Sequence, residues 1–154
     1  MSLTQEEADR LLQMPKLFVD VVSPIEFTLT LPMDYERILR SVDRQEEFHL
    51  NVERGRRNKI RLKYQTRARR VIVLARLELN ARRHRSPPES PYKPEQWIGE
   101  SHLHLYREGL EDRVAYDLVD APGWTGPVTD GIPAFEQFLR LCGVAEWPPI
   151  QTSL

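Results

Sequence analysis

Apolar residues recur along this chain with two different spacings, and each change of spacing marks an element. Ala8, Leu11, Leu12 and Met14 fall at helical spacing. Thr4-Gln5-Glu6-Glu7 before them is a capping box, with two carboxylates at the positive end of the helix dipole. Pro15 ends the helix. A period of two follows. LFVDVV within residues 16–23 reads as a connector or an edge strand. Between Pro24 and Pro32, Ile25, Phe27, Leu29 and Leu31 alternate with Glu26, Thr28 and Thr30, which predicts a half-buried strand. Residues 35–42 (YERILRSV) fit helix or strand. Strand is preferred because Phe48, Leu50 and Val52 form a second alternating run just beyond, with His49 on their solvent side. After a turn at Gly55, KIRLKYQT turns Ile60, Leu62 and Tyr64 inward and Lys59, Arg61 and Lys63 outward. RVIVLARLEL then offers Val71, Val73, Ala75, Leu77 and Leu79 to the core, with Arg76 and Glu78 on the other face. Turns this short allow no crossover helices, so the strands form an antiparallel meander.

Four prolines make residues 80–97 a long loop without regular pairing. A strand over residues 101–107 and a turn at Gly109 lead to RVAYDLV, where Val114, Tyr116 and Leu118 share a face. A Pro/Gly-rich loop follows. Asp130 is the expected cap of a final helix over residues 132–142, with Pro133 in its first turn and Gly143 as its stop. Ala134, Phe135, Phe138, Leu139 and Leu141 give that helix its apolar stripe. The tail, residues 144–154, is expected to be extended or disordered. The fold class is therefore α+β: one domain over residues 1–154, with an antiparallel sheet of about six strands flanked by an N-terminal and a C-terminal helix.

Composition narrows the function classes. No apolar run in these 154 residues could span a bilayer, and MSLTQEEADRLLQM, with no basic stretch followed by an apolar one, is not expected to act as a secretory signal. The one cysteine, Cys142, excludes an internal disulfide and a Cys-rich zinc site, and in FLRLCGV it reads as a small buried hydrophobe. These features point to a reducing cytoplasm. The net charge of −1 conceals a strong asymmetry, because residues 53–85 hold thirteen Lys and Arg against two Glu. Such a segment either attracts a polyanion or forms the solvated outer faces of strands.

The candidate chemistry lies in GESHLHLYREG, residues 99–109. As one strand it puts His102, His104 and Tyr106 on an open face and Leu103 and Leu105 toward the core. An endoribonuclease working without metal needs a base, an acid and cations for the phosphate. His84, His102, His104 and Tyr106 are candidates for proton transfer. Arg107, or the cluster Arg82, Arg83 and Arg85, would stabilise charge, while Lys59, Arg61 and Lys63 would track an RNA backbone. This reading needs no cofactor, and it requires His84 to fold back near the strand. In ordinary packing, His102 and His104 would simply make hydrogen bonds on a sheet face, and Trp97 and Trp124 would fill space.

Three resemblances bear on these residues. His102-x-His104-x-x-x-Glu108 resembles the first cupin motif, in which both histidines and the glutamate bind a divalent metal, although no histidine follows His104 to supply the second motif. A site from His84, His102 and His104 would satisfy three-ligand zinc chemistry, with Glu108 as a further candidate ligand. HLHLY also looks like the histidine triad of HIT proteins, broken at Tyr106. TQEEADRLLQMPK, SPIEF, the basic hairpin, RHRSP and HLHLYREG together resemble a family of uncharacterised bacterial and archaeal proteins of similar length. ARLELNARRHRSP followed by SHLHLYREG is similar to TumE-type toxins of toxin–antitoxin systems, whose loop carries a histidine pair where this chain has His84 alone. That likeness implies an RNA-directed protein with a cognate antitoxin. The leading expectation is a metal-independent endoribonuclease of toxin–antitoxin type. The alternatives are a non-catalytic module binding nucleic acid or protein, and a small metal-binding protein that uses the HxH strand.

Overall fold

The computed structural model describes residues 2–126 and 131–154, and it has the α+β architecture. The N-terminal helix α1 (Gln5–Gln13) starts at the capping box: Thr4 Oγ1 accepts from Glu7 N at 3.1 Å, and the Glu7 carboxylate returns the bond to Thr4 N. The strands are β1 (Lys16–Phe18), β2 (Ile25–Thr28), β3 (Met33–Ser41), β4 (Glu47–Arg54), β5 (Leu62–Ala68), β6 (Ile72–Leu79), β7 (His84–Arg85), β8 (Trp97–Ile98), β9 (His102–Leu105), β10 (Ala115–Asp117) and β11 (Ile150–Ser153). A second helix, α2 (Gly131–Leu141), precedes the last strand. Asp130, the expected cap of α2, lies outside the described residues.

Seven strands form one antiparallel sheet in the order β1-β3-β4-β5-β6-β9-β10. One face carries the core. Phe48, Leu50, Val52, Leu62, Tyr64, Leu77, Leu79 and Leu103 are all buried there. Helix α1 packs over β6 and α2 over β5. Phe27, Phe135 and Phe138 surround Tyr64 with centroids 5.1–6.3 Å away, and the Tyr64 hydroxyl reaches Gly131 O.

The outer face carries two rows of cross-strand polar neighbours. One runs Asp34, Glu53, Lys63, Glu78, His102, Asp117; the other runs Glu36, Asn51, Gln65, Arg76, His104. Both rows reach the histidines because residues directly opposite in a sheet share a face.

Several boundaries differ from the sequence reading. Strand β2 stops at Thr28, leaving Leu29 and Leu31 exposed, and Ile60 is exposed before β5 begins. In β6, Thr66 pairs with Ala75 and Arg67 with Val73, so Leu74 is an extra residue. That bulge reverses the phase: Ile72 and Leu74 are buried, whereas Val71 is exposed and Val73 half-buried. The expected strand through Leu118 becomes the short β10 followed by a 3₁₀ turn at Leu118–Asp120. The proline-rich loop contains a small hairpin, β7 against β8, and the C-terminal segment pairs parallel with β2 as β11. Among the described residues, no helix is long and apolar enough to cross a membrane.

The C-terminal ends of the two helices meet at one buried lysine. Lys16, 2% exposed, donates from Nζ to Leu12 O at 2.8 Å, Met14 O at 3.1 Å and Cys142 O at 2.6 Å. These carbonyls lie where the helical ladder runs out of donors, and the dipole there favours a cation. Gly143 permits the approach: its φ is +83°, and a Cβ would stand 2.3 Å from Met14 O. Burial pushes Cys142 up to about 12, so it stays a thiol, and pushes Lys16 down to about 8 from 10.5. Lys16→Met is expected to cost about 1–3 kcal/mol at neutral pH in urea unfolding, because it strands three carbonyls. Below about pH 8 folded and unfolded chains both hold the Lys16 proton. Between about 8 and 10.5 only the unfolded chain does, so this group makes wild-type stability rise with pH. The gap between wild type and Lys16→Met should therefore widen over that window.

Candidate metal centre

The register of β9 against β6 sets Glu78 opposite His102 and Arg76 opposite His104. Both histidines are buried, 1% and 2% exposed, because the β7–β8 hairpin and the turn after Gly109 fold over this end of the outer face. Glu78 Oε2 lies 3.4 Å from His102 Nε2 and 3.2 Å from His104 Nε2. Three potential ligand atoms, one each from Glu78, His102 and His104, lie within 4.8 Å of one another.

The other ring nitrogens fix the tautomers. His102 Nδ1 is 2.7 Å from Gly99 O, and His104 Nδ1 is 2.8 Å from Asp112 O. A carbonyl can only accept, so these contacts favour a proton on each Nδ1; at His104 the 2.8 Å carbonyl contact is shorter than the 3.3 Å approach of Arg76 Nη2 to the same nitrogen, and each Nε2 then faces the carboxylate. His104 Nε2 has no hydrogen-bond partner despite its closeness to Glu78. Two lone pairs directed at a carboxylate would repel it. Protonating one ring or both instead would bury imidazolium charge beside Arg76. A cation among the three donors resolves the conflict. Tetrahedral zinc, with Zn–N bonds of about 2.0–2.1 Å, sets its ligand atoms about 3.3–3.4 Å apart.

Charge on the surrounding groups is consistent with that donor set. Burial alone would raise the Glu78 carboxyl, but its contacts with His102 and His104 and the nearby Arg76 guanidinium hold it well below the usual carboxylate range. Burial lowers His104, and the neighbouring Arg76 and His102 charges add to this against the Glu78 contact. Arg76 is tied to Asp112 at 2.6 Å and also reaches Glu78 Oε2 from Nε at 3.4 Å, while Arg61 Nη2 holds Glu78 Oε1 at 3.1 Å, so Oε2 faces both the rings and Arg76. His84 stands beside the cluster with its ring centroid 4.9 Å from His104 and 6.0 Å from His102. Its Nε2 is 3.0 Å from Arg113 O, and burial lowers its basicity.

Other candidates lie elsewhere. Strand β9 ends at Leu105, so Tyr106 leaves the alternation and turns to the core side, where its hydroxyl accepts from Leu3 N at 2.7 Å and donates to Leu3 O at 3.1 Å. Arg107 is exposed and pairs its backbone with Glu111. Glu108 Oε1 accepts from Gln5 N at 2.7 Å and serves α1, away from the imidazoles. Lys63 pairs with Glu53 at 3.1 Å, and Arg83 lies over Trp97. Lys59, Arg82 and Arg85 are exposed. Sequence reasoning missed Glu78 as a ligand and Asp112 as the anchor of Arg76. Glu78 did leave a signal, since it is one of only two acids among thirteen basic residues and shares the outward phase of Arg76.

The metal-independent endoribonuclease reading is overturned by this cluster, because the two histidines meet a carboxylate in an arrangement able to hold a metal ion. The toxin-type ribonuclease assignment falls with it. The fold and site define an α+β protein with a buried His-His-Glu cluster on the outer face of an antiparallel sheet. Residues 3–144 match the family described as "Family of unknown function (DUF6978)", and the chain belongs to it. No curated protein and no solved structure gives a significant match.

Tyr106→Phe removes both bonds to Leu3 and is expected to lower stability by about 1–2 kcal/mol in urea unfolding. Zinc affinity should be unchanged in a chelator-competition titration, since the hydroxyl does not belong to the cluster.

Proposed function

We propose that this protein binds a divalent transition metal of the zinc class through Glu78 Oε2, His102 Nε2 and His104 Nε2. The observation that carries this reading is the pair of imidazoles whose Nδ1 atoms are committed to carbonyls while their Nε2 atoms converge on one carboxylate oxygen. His104 Nε2, buried and without a hydrogen-bond partner, is the donor that most needs a cation.

The choice of metal follows from charge. The Arg76 guanidinium helps to keep Glu78 ionised, but its charge and that of Arg61 on the other carboxylate oxygen oppose any cation. Calcium and magnesium rely on oxygen donors and charge, and the site offers them a single carboxylate. Zinc and its neighbours gain from imidazole lone pairs, which the guanidiniums cannot neutralise. Three protein donors leave one position of a tetrahedron for a water, a substrate or a further side chain.

Metal-stripped protein is expected to bind one equivalent of zinc and to melt at a higher temperature in its presence, an increase that chelator reverses. Calcium and magnesium should give no such shift. Glu78→Gln and His102→Ala should each weaken zinc binding by at least about a hundredfold, while Glu108→Gln leaves it unchanged. Failure of wild type to bind zinc more tightly than Glu78→Gln in the competition titration would reject the site.

A further inference from the structure

We infer that the end of the sheet next to this cluster holds a separate binding site for a compact polyanion of the diphosphate type. The turn between β4 and β5 faces the segment leaving β6 across a cavity of about 670 Å³. Arg56, Arg57 and Arg61 line it from the turn and Arg82 from the opposite side, with Glu100 the one carboxylate on its wall.

The walls are tied together. Asn58 Nδ2 donates to Asn80 O at 3.3 Å, and Asn80 Nδ2 donates to Ile60 O at 3.0 Å. Gly55 is required for the turn, since a Cβ there would stand 2.5 Å from Asn58 O. The backbone that carries these arginines is therefore tied across the cavity rather than a loose tail.

Charge bookkeeping across the outer face selects this cavity. Lys63 pairs with Glu53, Arg67 with Glu36, and Arg76 with Asp112. Those pairs offset much of the positive charge on the strand face. Among the described residues, Arg56, Arg57 and Arg82 have no carboxylate partner. Unpaired arginines lining one concave site focus positive potential there. Each presents a planar fork that engages two oxygens of a phosphate-type group. Confinement to the cavity favours a compact ligand over an extended chain. Arg61 lines the cavity and also holds Glu78, so an anion bound here lies one side chain away from the histidine cluster.

The test is calorimetric titration of inorganic pyrophosphate into metal-stripped protein, which makes the result independent of the zinc reading. We expect saturable one-to-one binding with Kd below about 1 mM, weakening as salt rises. Arg57→Gln and Arg82→Gln should each weaken it by about tenfold or more. Arg44→Gln, an exposed position in the turn at the opposite end of the sheet, should leave it unchanged. Circular dichroism checks that all three variants are folded. Absence of saturable binding, or equal losses in all three variants, overturns the proposal. So does binding that appears only with zinc and disappears in Glu78→Gln, because the phosphate would then sit on the metal. That last outcome would leave the zinc reading standing.

Discussion

The antiparallel register between β6 and β9 is the constraint on which the histidine cluster depends. It joins strands separated by the whole proline-rich segment, and it sets Leu103 beside Leu77 on one face and His102 beside Glu78 on the other. A one-residue slip would turn Leu103 outward and drive both histidines into the apolar layer. The Leu74 bulge helps to hold the register, since the Leu74 carbonyl accepts from Tyr106 N at 3.0 Å just past the end of β9. The geometry of a polar site thus follows from the apolar packing on its reverse side.

The outer face combines exposure with order. Across β3, β4 and β5 its polar side chains are part-exposed and pair at modest energetic gain, as Lys63–Glu53 does. Toward β9 the same rows pass beneath the β7–β8 hairpin, and burial changes the character of each contact. A carboxylate, two imidazoles and a guanidinium in that setting are stable only with every lone pair and proton assigned. Gly99 O and Asp112 O assign the Nδ1 protons, and Asp112 assigns the charge of Arg76. The convergence of Nε2 atoms on Glu78 is the remainder of that assignment.

Much of this was legible in local pattern. The Thr4–Glu7 capping box, the alternation of Phe48, Leu50 and Val52, and the stripe on α2 all report short-range chemistry, and each appears in the fold. What was hidden depends on distant partners. The phase of Val71 and Val73 is reset by a bulge opposite Thr66 and Arg67. Tyr106 and Glu108 keep the spacing of a longer strand, but the strand stops at Leu105 and the two side chains turn to Leu3 before α1 and to Gln5 at its start. Glu78 joins the histidines through a pairing across more than twenty intervening residues. The parallel bonding of Ile150 with Ile25 has no local signal at either end.

The Lys16 contact also joins the two ends of the chain. Its ammonium donates two bonds to carbonyls at the end of α1 and a third to the end of α2, although Cys142 follows it by 126 positions. Two of these bonds close locally, so the third alone makes one side chain answer for both helices. A substitution at Lys16 therefore loosens the start and the finish of the chain together.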